Sequence, residues 1–182
     1  EMNGNMNFMG SSFPIKVYTS LDYFYMNADN PNFAFTIAIN MKDNSGWQNM
    51  LGQVKDVSEK EIERNRINVE SMLWSYYTEP EKFGITYKLM QNEYVGDNDC
   101  YVVDFMVKDS LIQTVCYDTK TFHKLRQVKG KSTSEYYDTR NVNESGIYMG
   151  YSMKTNQGDV IVTEYKFNTE FDTNLLKKPE GK

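Results

Sequence analysis

The sequence predicts a mainly β (α+β) fold: a highly curved antiparallel sheet wrapped around one main covering helix. Three observations carry this expectation. Apolar and polar residues alternate with period two over most of the chain, the gaps between these runs are short and rich in turn residues, and one stretch alone shows helical spacing. A parallel crossover needs a dozen or more residues, so connections this short make neighbouring strands antiparallel. The expected product is a meander of ten or more strands.

Alternation begins at once, over Met2 to Met9, without the charged and then apolar segments of a targeting peptide. A chain that starts inside a strand leads to the expectation that residues precede Glu1. Phe13, Ile15 and Val17 form the next run, with Lys16 facing away. The clearest run sets Phe33, Phe35, Ile37, Ile39 and Met41 on one face and Thr36, Ala38, Asn40 and Lys42 on the other. Ser58-Glu59-Lys60-Glu61 then reads as a capping box, in which Ser58 caps the third helical N–H and Glu61 reaches back. Ile62, Val69, Met72, Leu73 and Tyr76 follow at helical spacing and Pro80 ends the stretch. This predicts a helix from about Ser58 to Tyr77, interrupted near Asn65 to Asn68, with an apolar stripe that must cover one sheet face. The remaining runs are 85–90, 101–107, 111–117, 122–128, 132–142, 147–153 and 160–167, separated by turns such as Asp109-Ser110 and Lys129-Gly130-Lys131.

The chain has 182 residues, enough for an ordinary core, and shows neither an internal repeat nor a break in composition. A single domain over 1–182 is expected. Aromatic residues make up 14%, which excludes disorder for most of the length. The net charge of -5 argues against nucleic acid as a partner. No run approaches the roughly 18 apolar residues that a membrane-spanning helix needs.

The alphabet for catalysis is thin. His123 is the sole histidine, and no zinc spacing or nucleophile motif accompanies it, so it reads as a polar residue on a strand. If Asp109-Ser110 is a two-residue turn, Lys108 faces Leu111, Cys116 faces Val103 and Cys100 faces Thr119. The two thiols then point to opposite faces and stay free, as small hydrophobes. Gly96-Asp97-Asn98-Asp99 lacks the alternating acids of a calcium loop and reads as a hairpin turn. Glu59, Glu61 and Glu63 sit where a helix N-terminus favours negative charge. Neither a catalytic residue, a metal site nor a cofactor is expected, and an enzyme ranks last among the functional readings.

The aromatic surplus, with Tyr23-Phe24-Tyr25 and Trp74, Tyr76 and Tyr77 prominent, has two readings. One is core packing plus strand propensity; the other is a sheet and helix enclosing a lipid-sized apolar pocket. The parity of the strands places Phe35, Ile37, Ile39, Tyr101, Val103 and Phe105 toward the helix, because Thr36, Asn40 and Asp104 make the other face too polar for the main core. The expected lining of a pocket is Phe33, Phe35, Ile37, Ile39, Trp74, Tyr101, Val103 and Phe105.

Three stretches carry a family likeness. Asp99-Cys100-Tyr101-Val102-Val103 through Tyr117-Asp118-Thr119-Lys120-Thr121-Phe122 forms one, and Tyr136-Tyr137-Asp138-Thr139-Arg140-Asn141-Val142-Asn143 a second. The third runs from Phe167-Asn168 through Asp172-Thr173-Asn174-Leu175-Leu176-Lys177-Lys178-Pro179. Together they resemble the outer-membrane lipoprotein-sorting (LolA/LolB-like) superfamily, in particular its Bacteroidetes-type members. The chain departs from that pattern in Gly146-Ile147-Tyr148-Met149-Gly150, which lacks the usual proline, and in Leu176, where a Phe is usual. The resemblance implies an unclosed half-barrel with a helical lid, and a periplasmic or outer-membrane-associated, non-enzymatic binding protein. The implied ligands are lipid or lipoprotein acyl chains, with contact to the membrane only peripherally or through an upstream lipid anchor. The reading of a different class is an interaction module of the cell envelope, self-filled, whose partner is another envelope protein.

Overall fold

The computed structural model describes residues 1–30, 34–70, 75–156 and 158–179. The strands are β1 (Met2–Phe8), β2 (Ser11–Thr19), β3 (Tyr23–Ala28), β4 (Phe35–Asn40), β5 (Ser45–Met50), β6 (Gln53–Asp56), β7 (Ile85–Leu89), β8 (Glu93–Val95), β9 (Asn98–Val107), β10 (Ser110–Asp118), β11 (Lys124–Lys129), β12 (Ser132–Asn141), β13 (Tyr148–Thr155) and β14 (Gly158–Tyr165). Between β6 and β7 lie helix α1 (Glu59–Glu70) and the single turn α2 (Ser75–Thr78). Hydrogen bonds link the strands in the order β6-β5-β4-β3-β2-β1-β14-β13-β12-β11-β10-β9-β7, with β8 also on β9. The fold is thus mainly β, with an antiparallel sheet that does not close into a barrel.

The chain divides into two compact units. The first comprises Glu1–Met6, Ser12–Thr78 and Thr163–Lys182, and the second Asn7–Ser11 and Glu79–Val162.

In the first unit, cross-strand register sorts side chains to two faces. Phe24 pairs with Ile39 and Met26 with Ile37 across β3 and β4. These residues form a cluster with Met41, Val57, Ile62 and Val69, so the apolar side of α1 is buried on this face. The capping box is present: the Ser58 N–H donates to Glu61 Oε2 at 3.0 Å, and the Glu61 N–H donates to Ser58 Oγ at 3.4 Å. Helix α1 runs through Asn65 to Asn68 without the expected interruption, and Asn65 Nδ2 donates to the Glu61 carbonyl at 2.7 Å, one turn back. Met72 and Leu73, assigned to the helix stripe, lie outside the described residues.

On the opposite face, Tyr25 pairs with Tyr18 and Ala38, and Ala38 with Trp47. The carboxy-terminal segment covers this row. Phe171 stacks on Tyr23 with centroids 4.9 Å apart and meets Tyr18 at 4.5 Å. The Tyr18 hydroxyl donates to the Thr169 carbonyl, and the Trp47 indole N–H donates to the Leu176 carbonyl. Part of the aromatic surplus therefore packs away from α1.

The second unit corrects the expected hairpin between β9 and β10. The turn is Lys108-Asp109, both at positive φ (47° and 62°), as a type I′ turn requires. An extra residue between Leu111 and Gln113 then shifts the register. Cys116 faces Val102 and Cys100 faces Asp118, so the thiols share one face as diagonal neighbours, rather than opposite faces. Both are free and buried, packed with Val102, Val95 and Leu125. Desolvation and the neighbouring Cys116 push the Cys100 thiol up to about 11. The first half of β9 thus buries its even positions, Cys100 and Val102, while Phe105 at an odd position is buried further along.

Candidate ligand cavity

A cavity of about 400 Å³, open to solvent, lies in the first unit between α1 and strands β3 to β6. Its apolar wall is Phe24, Met26, Phe35, Ile37, Met50 and Val57. Its polar rim is Gln48, Lys55, Glu61, Arg64 and Asn65. Register explains the division. One row across the sheet reads Met26, Ile37, Gln48, Lys55, so the wall passes from apolar at β3 to cationic at β6. Strands β3 and β4 are internal and bury apolar side chains, while β6 ends the hydrogen-bonded order and carries exposed polar ones. Beneath the wall, Ile39 is 0% exposed, together with Ile62 and Val69 at 2% each.

The rim is electrostatically uneven. Glu61 accepts hydrogen bonds from the Ser58 N–H and hydroxyl, which hold its carboxyl below the ordinary value, with help from Lys55 and Gln48. Among the described residues, neither Lys55 nor Arg64 has a salt-bridge or hydrogen-bond partner, and both are exposed.

Of the residues expected to line a pocket, Phe35 and Ile37 stand on this wall and Ile39 lies in the core under it. Phe33 and Trp74 fall outside the described residues. Tyr101, Val103 and Phe105 belong to the second unit. There Tyr101 stacks on Phe122 at 6.2 Å, Val103 is half-buried, and Phe105 meets the Tyr87 ring edge-on at 5.1 Å. Sequence reasoning missed Phe24, Met26, Met50, Val57 and the rim as lining residues. Tyr23-Phe24-Tyr25-Met26 is apolar at every position, so it gives no alternation, because both faces of β3 are covered. Ser45-Gly46 at the start of β5 reads as a turn. The signal available was Leu51-Gly52 between two short runs, which forms a turn with φ of 53° and 84°.

A polar network occupies one face of the second unit. Lys124 Nζ approaches Gln127 Oε1 at 3.3 Å and lies 4.2 Å from the centre of the Tyr136 ring. Gln127 Nε2 donates to Gln113 Oε1 at 2.6 Å, and the Tyr136 hydroxyl donates to Gln127 Oε1 at 2.9 Å. His123 stacks on Tyr148 at 4.9 Å. Among the described residues, no group of three His, Cys, Asp or Glu side chains is arranged to hold a metal ion.

No protein-family model matches the chain, and no curated protein matches it by sequence. Solved structures share its fold, among them the following three. A domain named for outer membrane lipoprotein sorting, from Vibrio parahaemolyticus, is 14% identical with a TM-score of 0.50, over 95% of this chain and 86% of that one. A LolA superfamily protein from Nitrosomonas europaea is 13% identical with a TM-score of 0.53, over 97% and 88%. A DUF1329 family protein from Desulfovibrio piger is 15% identical with a TM-score of 0.50, over 97% and 90%. At these identities the likeness establishes the fold, the LolA-like one that the sequence motifs resemble.

Proposed function

We propose that this chain is a non-enzymatic binding protein of the periplasm or outer-membrane surface that holds an acyl chain of a lipid or lipoprotein. The observation that carries the reading is the apolar wall of Phe24, Met26, Phe35, Ile37, Met50 and Val57, open to solvent and backed by a closed core. Its volume, about 400 Å³, falls in the range of small-molecule sites. The names of two structures sharing the fold, one for lipoprotein sorting and one for the LolA superfamily, support the ligand class and the compartment.

The mechanism is passive. Each methylene removed from water contributes about 0.8 kcal/mol, so a chain of about 14 methylenes would gain on the order of 11 kcal/mol at full burial. Association and ordering costs oppose this, and the cavity is open, so the expected affinity is micromolar. Titration of delipidated protein with a fluorescent fatty acid tests the reading. Saturable binding is expected; Phe35→Leu weakens it about two- to tenfold with the fold intact, and Ile37→Asp abolishes it by placing a carboxylate on the wall. Absence of a saturable signal from well-folded protein would overturn the reading and leave the envelope interaction module ahead.

A further inference from the structure

The cavity has a direction, apolar at β3 and β4 and polar toward β6 and α1. Across the sheet the row Met26, Ile37, Gln48, Lys55 ends on a cation, and α1 brings Arg64 to the same rim. Glu61 is the one acid on that rim, and its Oε2 already accepts hydrogen bonds from the Ser58 N–H and hydroxyl. Among the described residues neither Lys55 nor Arg64 makes a hydrogen bond or salt bridge, though the charge of Lys55 acts on Glu61, so the rim presents two cations against one carboxylate. This local excess of positive charge stands out in a chain whose net charge is -5.

From this geometry we infer that the cavity selects a single-tailed amphiphile with an anionic head, a carboxylate or phosphate monoester, its tail on the Phe24–Met26–Ile37 wall and its head between Lys55 and Arg64. The inference rests on the acyl-binding reading above and adds the chemistry of the head group. An arginine forks across two oxygens of such a head, while lysine contributes a point charge. Both groups remain partly in water, so the gain is modest and falls with salt.

Displacement of a neutral fluorescent probe tests it at pH 8 and low salt. Three competitors of equal chain length are compared: a fatty acid, a lysophosphatidic acid and a fatty alcohol. At least one anionic competitor should bind about five- to tenfold more tightly than the alcohol, with the ratio shrinking at 0.5 M salt. Which anion gains more identifies the source of the head group. In the double variant Lys55→Gln, Arg64→Gln, the ratio of anionic-competitor to alcohol affinity should fall to about one. Equal binding of all three competitors by the parent protein, or a preference that survives in the double variant, would overturn the inference and leave the acyl-binding reading intact. Failure of every competitor to displace the probe would overturn both.

Discussion

Lys124 carries an ammonium group on a sheet face where its neighbours are amides and an aromatic ring. Burial pulls it down from the ordinary 10.5 to about 8, with no carboxylate to offset the loss of water. Gln127 and the face of Tyr136 are what holds the charge in place. The consequence for stability has a definite sign. Between pH 8 and 10.5 the unfolded chain keeps a proton that the folded chain has released, so the folded state gains stability as pH rises through that window. In Lys124→Met this gain is absent. Denaturant unfolding of the two proteins at pH 7 and pH 10.5 checks it: the parent should gain on the variant as pH rises, and parallel curves would contradict the placement of Lys124. Nothing in the sequence marks this position, because Thr121-Phe122-His123-Lys124-Leu125 does not tell a buried lysine from an exposed one, and the network forms only when β10, β11 and β12 come together.

Helix α1 and the β9–β10 hairpin show what was legible at the scale of elements. The capping box specified the start of α1 because its chemistry is local: Ser58 and Glu61 are three residues apart and satisfy each other's backbone groups. Ser58→Ala should therefore cost about 1 kcal/mol of stability, measured as a fall in the urea midpoint at constant slope. The interruption expected at Asn65 to Asn68 does not form, since Asn65 bonds back along the helix. In the hairpin the strands were legible and the register was not. Lys108 and Asp109 adopt positive φ without glycine, and the extra residue in β10 leaves no trace in the alternation. That one residue moves both thiols to a common face. Strands β3 and β5 escaped for the reverse reason: one is apolar on both faces, and the other begins with turn-forming residues.

At the scale of the molecule, period-two alternation and short turns sufficed for a mainly β chain with an open antiparallel sheet, because each connection constrains only its two neighbours. The site was legible in part. The parity of β4 gave Phe35 and Ile37, while the cations of the rim come from β6 and α1, whose meeting depends on tertiary packing. The central claim, that this chain carries an acyl ligand, is tested most directly by native mass spectrometry of the protein isolated from its own cell extract without detergent. The account predicts a bound mass of one acyl-bearing molecule per chain, lost on delipidation and restored by adding lipid. A spectrum holding only the mass of the polypeptide, from an extract in which free lipid is abundant, would contradict it.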